Sequence, residues 1–244
     1  MNLLRIALLQ ILPQGSLEKN RQKGVCACIE AKKAGADIVA GASFDNNLPC
    51  IAEKECFVFQ NVADELIASM QKNGAYLISG ADIDKLVKLC LIEKNGKYSI
   101  NKDWVGRDAK KFLKAIGIDA DPRLIICEVD NDHPFVQVEM MMPVLGIVRV
   151  KDIDEAIKLA VAAEHGNRHS AHIHSKNIDN LSRFARAVET TIFVKNAPSY
   201  AGIGAGGEGY TTFTIAGPTG EGLTAAHSFT RARRCVMVDG LHII

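Results

Sequence analysis

Apolar positions along this chain follow two alternating rhythms. Short runs rich in branched or aromatic residues read as strands: Cys56-Phe57-Val58-Phe59, Ala75 to Ser79, Arg123 to Val129, Phe135 to Val138, Pro143 to Val150, Ala171 to His174 and Thr191 to Val194. Between them apolar residues recur at helical spacing. Val62, Leu66, Ile67 and Met70 follow a capping Asn61, and Asp82 opens another helix. Ala109, Phe112, Leu113 and Ile116 share a face within Arg107 to Ile116, as do Ile153, Ala156, Ile157, Ala160 and Val161 within Asp152 to Glu164. Leu181, Phe184 and Ala185 do the same within Ile178 to Val188. Strands alternating with helices predict an α/β sheet domain. Asp82-Ile83-Asp84, Asp152-Ile153-Asp154 and Asn177-Ile178-Asp179 have irregular spacing and read as helix caps, not repeats; Asn95-Gly96 reads as a tight turn.

The opening forty residues are patterned in the same way. Residues 3 to 12 read as a strand broken by Pro13-Gln14-Gly15. Ser16 is a suitable N-cap, and Leu17, Val25, Cys28 and Ile29 give one face of a helix that runs to Ala34 and stops at Gly35, ahead of a second strand at Ile38-Val39. Ala36-Asp37-Ile38-Val39 fits equally the helix leading into the segment that follows. The apolar start carries Arg5 and no small-residue cleavage site, so it reads as a strand and not a signal peptide.

Composition narrows the class. Of 244 residues, 48% are hydrophobic and 23% charged, enough apolar material for one large globular domain or two small ones. A formal net charge of +1 argues against nucleic acid or an anionic membrane as partner. Seven cysteines, an odd count in a chain this size, fit reduced thiols and a cytoplasmic protein. Cys26-Ala27-Cys28 has no second pair to complete a zinc site. His165, His169, His172 and His174 are dense, but Gly166-Asn167 interrupts the first pair and no acid or thiol completes a ligand set, so no metal is expected.

The candidate chemistry centres on Ser43-Phe44-Asp45-Asn46-Asn47-Leu48-Pro49-Cys50-Ile51-Ala52-Glu53-Lys54-Glu55. Asp-Asn-Asn favours a turn, Pro49 fixes its own φ, and Cys50 falls where loop becomes strand, a place that displays a nucleophile. The bland alternative for Cys50 is a small buried hydrophobe. Gly202-Ile203-Gly204-Ala205-Gly206-Gly207-Glu208-Gly209 satisfies G-x-G-x-x-G, but the β-type alternation of Tyr210 to Ile215 follows where a dinucleotide loop must open a helix. Gly217-Pro218-Thr219-Gly220-Glu221-Gly222 lacks the Gly-Lys-Ser/Thr of a phosphate loop. Both tracts read as tight loops.

Three stretches carry a resemblance. The Cys50 segment, Glu139-Met140-Met141-Met142-Pro143-Val144, and the run from Asn196-Ala197-Pro198-Ser199-Tyr200-Ala201-Gly202 through Gly222 are similar to the CoA-acylating aldehyde dehydrogenases of ethanolamine- and propanediol-utilisation microcompartments, over about residues 41 to 240. The resemblance implies an aldehyde-dehydrogenase-like catalytic domain over residues 40–244 with a C-terminal oligomerisation tail (Arg234 to Val238). It implies catalytic Cys50, Glu139 on the cofactor ribose, and a substrate pocket including Asn47, Ile51, Pro198, Ser199, Tyr200 and Ile203. Its cofactors would be NAD and coenzyme A, its substrates a short-chain aldehyde and the acyl-CoA, and its location cytoplasm or microcompartment. Residues 1–39 are instead similar to the first βα unit of the carbon–nitrogen hydrolases (nitrilases), without that family's glutamate. A complete dehydrogenase of this type carries a Rossmann domain of roughly two hundred residues ahead of the cysteine segment. The expectation is therefore an N-terminal nitrilase-like strand-helix graft, no complete NAD-binding domain, and impaired turnover. The alternatives are a non-catalytic remnant that associates with full-length dehydrogenase subunits as part of an oligomer, and a carbon–nitrogen hydrolase fragment.

Overall fold

The computed structural model describes residues 33–207, 209–212, 214–216, 222–236 and 238. The expected strand over residues 3 to 12, and most of the helix after it, lie outside the described residues. In chain order the elements are helix α1 over 33–42, strand β1 (Glu55–Phe59), α2 (Ala63–Lys72), β2 (Ala75–Ile78), α3 (Ala81–Cys90), the hairpin β3 (Leu91–Lys94) and β4 (Lys97–Ile100), and α4 (Ala109–Ala115). There follow β5 (Leu124–Glu128), the single turn α5 (Pro134–Gln137), β6 (Val144–Val150), α6 (Ile153–Ala163), β7 (Ser170–Ile173), α7 (Ile178–Val188) and β8 (Ile192–Lys195), then the short pair β9 (Ile215–Ala216) and β10 (Gly222–Leu223).

Four strands form one parallel sheet in the order β1-β6-β5-β2, and β7 pairs in parallel with β8. Period-two alternation divides the sheet between two cores. Leu124 and Ile126 of β5 face α2, α6 and α7 through Leu66, Met70, Ala156, Ala160 and Phe184. Ile125 and Cys127 face the opposite side, where Leu86, Cys90, Phe112 and Leu113 of α3 and α4 lie with Met140 and Met142. Burial pushes the Cys127 thiol up to about 12 and raises that of Cys90 as well, which leaves both protonated.

The expected caps hold at two helices: the Asp152 side chain accepts the Glu155 N–H, and Asn177 accepts those of Asp179 and Asn180. Asp82 lies inside α3, whose N-cap is Gly80, and Val62, not Asn61, caps α2.

Two sequence expectations change. Gly35 does not stop a helix and Ile38-Val39 is not a strand; the other reading of Ala36-Asp37-Ile38-Val39, as helix leading into the cysteine segment, is the one found, within α1, whose buried face is Ala34, Ile38, Val39 and Ala42. A Cβ at Gly35 would stand 2.6 Å from Ser69 Oγ, so this glycine permits close approach of α1 to α2. Phe135 to Val138 begins as the turn α5, because Pro134 occupies its first position and His133 Nδ1 accepts the Phe135 N–H at 3.1 Å. Among the described residues, 231–236 take part in no strand, and the remainder of the expected Arg234 to Val238 strand lies partly outside the described residues.

Candidate active site around Cys50

Cys50 is half-buried in a turn closed by the Ala52 N–H on the Pro49 carbonyl at 2.8 Å. The approach to it is unusual: Asp45, Asn46 and Asn47 stand consecutively in the left-handed region, with φ of 46°, 51° and 66°. Asp and Asn tolerate this conformation better than other side chains, yet three in sequence persist only where surroundings hold them.

Those surroundings are polar and buried. Asn47 is 1% exposed. Its Nδ2 donates to the Ala42 carbonyl at 2.8 Å and the Glu53 carbonyl at 2.7 Å. Lys54 Nζ donates to the Asn47 carbonyl at 2.8 Å and to Asn47 Oδ1 at 2.6 Å. Asn46 Nδ2 reaches the Gly106 carbonyl at 3.1 Å and Asp108 Oδ1 at 2.9 Å.

Glu53, Lys54 and Glu55, three charged residues in a row, are all buried. Charges out of water need partners, and these have them. Glu53 Oε1 accepts the Ser199 N–H at 3.0 Å, and its carboxylate lies where a Cβ on Gly41 would be, so α1 reaches the turn only through a glycine. Lys54 Nζ stands 4.0 Å from Glu139 Oε1.

The second wall is the 3-10 turn Ser199–Ile203, entered from Pro198. Gly202 lets this turn lie against β8, since a Cβ there would strike the Ile192 side chain. Ile51, Ile192, Val194 and Ile203 form a buried apolar cluster against which Cys50, Ala197 and Tyr200 pack. The Phe44 and Tyr200 rings meet at 5.4 Å between centroids.

The fold therefore gathers Cys50, Ile51, Tyr200 and Ile203 around one apolar patch. Ser199 joins them through its backbone N–H and is fully buried; Pro198 sets the turn. Asn47 differs from the expectation of a pocket wall: its amide is turned inward and braces the loop. Glu139 follows α5 and reaches the cysteine segment through Lys54, and Gly106 makes a second link, accepting from Asn46 and donating its N–H to the Met141 carbonyl at 3.1 Å. Sequence reading passed over Lys54, Glu53, Gly41 and Gly106. The available signal was three consecutive charges running directly into the apolar Cys56-Phe57-Val58-Phe59.

The histidines serve other ends. His169 and His172 are buried on or beside β7, and no group of three His, Cys, Asp or Glu among the described residues could hold a metal. His174 is sealed in, and burial first, then the nearby Lys33 ammonium, lower its pKa to about 4. Its Nδ1 lies 3.9 Å from Asp37 Oδ2, whose pKa burial raises; with the imidazole uncharged at neutral pH the contact is not an ion pair.

For a nicotinamide cofactor the fit is partial. Glu139, with its side chain 14% exposed, offers a carboxylate at the edge of the site that a ribose hydroxyl could reach. Among the described residues, no α-helix begins at the glycine tract after Ser199–Ile203, so none there presents an N-terminus to a pyrophosphate.

Comparison with known proteins identifies the family. The model of the aldehyde dehydrogenase family matches residues 20–230, and so begins within the stretch read as nitrilase-like. A propanal dehydrogenase (CoA-propanoylating) of Salmonella typhimurium is 51% identical over 214 residues, covering 86% of this chain and 45% of the relative. The crystal structure of the Rhodopseudomonas palustris propionaldehyde dehydrogenase with bound CoA and an acylated cysteine superposes with a TM-score of 0.82 at 47% identity, over 96% of this chain and 49% of that one. A propionaldehyde dehydrogenase from the Clostridium phytofermentans fucose utilisation bacterial microcompartment matches with a TM-score of 0.82 at 46% identity, over 98% of this chain and 51% of that one. The chain spans about half the length of these relatives. It belongs to the aldehyde dehydrogenase family.

Proposed function

We propose that this chain is the catalytic portion of a CoA-acylating aldehyde dehydrogenase acting on a short-chain aldehyde, with Cys50 as nucleophile. The observation that carries the reading is the placement of a single half-buried thiol on a braced turn against the Ile51, Ile192, Val194 and Ile203 cluster. A relative of the same fold was solved with bound CoA and an acylated cysteine.

In the aldehyde-forming direction, the Cys50 thiolate attacks the thioester carbonyl of acyl-CoA. The new C–S bond forms, the CoA thiolate leaves with the old bonding pair and takes up a proton, and an enzyme thioester remains. In the opposite direction the thiolate adds to an aldehyde, and a bound nicotinamide supplies the acceptor for the hydride. Cysteine suits both, since its thiolate is nucleophilic near neutral pH and its thioester stays open to another thiol. Glu139 would hold the cofactor ribose. The apolar cluster would receive a short acyl chain, while Asn47 braces the turn and Ser199 anchors the opposite wall. Acyl exchange with CoA uses the Cys50 thiol as acceptor, and hydride transfer would use the nicotinamide beside Glu139.

The test is the intact mass of the protein after incubation with propionyl-CoA, beside Cys50→Ala. Gain of one propionyl group in the parent and none in the variant is expected. A folded parent that gains nothing overturns Cys50 as a self-sufficient acyl acceptor. A second reading, association with full-length dehydrogenase subunits through the tail, draws on the exposure of Phe229, Val236 and Val238 at 75%, 73% and 76%. By analogy with the Clostridium relative, residence in a microcompartment is part of the same proposal.

A further inference from the structure

Lys54 touches both halves of the site. Its Nζ donates twice to Asn47, at 2.8 Å to the carbonyl and at 2.6 Å to Oδ1, and faces Glu139 Oε1 at 4.0 Å. The side chain is 2% exposed, so the long, flexible stem is held in a single course by what surrounds it. Asn47 is the last of the three left-handed residues and lies three residues ahead of the thiol, with its amide already committed to Ala42 and Glu53. A displaced ammonium would therefore release the carbonyl that fixes where the turn begins. Glu139 keeps its carboxylate partly accessible while Lys54 is buried, and an ionic attraction from which water is largely excluded is only weakly screened.

We propose that Lys54 is a positioning residue that couples Glu139 to the Cys50 turn, so that a change of charge at the Glu139 carboxylate alters the reactivity of the thiol. Engagement of that carboxylate by a ligand is then felt at Cys50 without direct contact between the two. The inference rests on reading Cys50 as the nucleophile and Glu139 as the group that faces the cofactor, and goes beyond it by assigning the link.

The experiment is a double-mutant cycle read as the rate of Cys50 alkylation by iodoacetamide, followed on the Cys50 peptide so that exposed Cys235 does not contribute. Glu139→Gln, Lys54→Met and the double variant are compared with the parent chain. Coupled residues depart from additivity: Glu139→Gln alone is expected to change the rate about threefold and to have no effect once Lys54 is replaced, so the double variant's rate differs about threefold from the product of the single effects. Rates that multiply within about 1.5-fold overturn the coupling. Should Lys54→Met not fold, Lys54→Gln takes its place, and an unchanged alkylation rate in Glu139→Gln is by itself enough to overturn the proposal. A merely structural Lys54 would lower the melting temperature and leave the cycle multiplicative. Propionyl-CoA labelling of the parent is scored separately: no labelling with a non-multiplicative cycle sinks the proposed function and leaves the coupling, and the reverse pattern sinks the coupling alone.

Discussion

His174 makes the protein's stability depend on pH in a direction that can be worked out. Its ring titrates near 4 when folded, against about 6.5 in an unfolded chain. As pH falls below about 6.5 the unfolded state takes the proton first, so stability is fully present above that value and drains away toward pH 4. The span is worth about 3 kcal/mol for one group. Asp37 works against it, since its folded carboxyl accepts a proton more readily than the unfolded one. Melting temperatures measured from pH 7 to 4 should fall, and His174→Gln should flatten the slope. At this scale the sequence disclosed chemical identity better than environment. Cys50 announces itself by the Asx residues and proline before it. Lys54 and Glu53 do not: Lys54 bonds to Asn47 only because the left-handed turn folds back on it, and the more distant partners Glu139 and Ser199 stand 85 and 146 positions further along, where only the fold brings them near.

Elements meet here through glycines whose missing side chains define distances. Gly41, at the end of α1, leaves room for the Glu53 carboxylate, which in turn anchors the 3-10 turn at Ser199. Gly41→Ala is expected to dislodge Glu53, cost about 2–4 kcal/mol in urea unfolding, and speed alkylation of Cys50, through overpacking combined with a lost charged hydrogen bond. Gly35→Ala should separate α1 from α2 and lower stability without changing the Cys50 rate, because Ser69, and not the active turn, is what it meets. Elements with local signals were legible: the capped helices α6 and α7 begin at Asp152 and Asn177 as read. The hairpin β3–β4 was marked only by its turn, because its mostly exposed strands show no apolar alternation. α5 was mistaken for strand because Phe135-Val136 favours β structure, while Pro134 and the His133 cap decide otherwise.

For the whole molecule, the order β1-β6-β5-β2 was beyond reach from sequence, since alternating elements state the class but not which strand lies beside which. The tail gives a prediction at this scale. Ending the chain after Thr224 removes Phe229, Val236 and Val238, all largely exposed, and so should leave the urea midpoint nearly unchanged while reducing the mass measured by light scattering if the tail joins copies. A midpoint that drops sharply would assign the tail to this chain's own core.

The Glu53–Ser199 hydrogen bond closes a span of 146 residues, and this has a consequence in time. A ribosome adding 5–20 residues per second needs about 7–30 s between making the first partner and the second. Throughout that interval the turn bearing Cys50 exists without its second wall, and its thiol is open to whatever oxidant or electrophile the cell contains. Nascent chains stalled with β6 outside the exit tunnel, but not yet Ser199, should be alkylated at Cys50 faster than the finished protein.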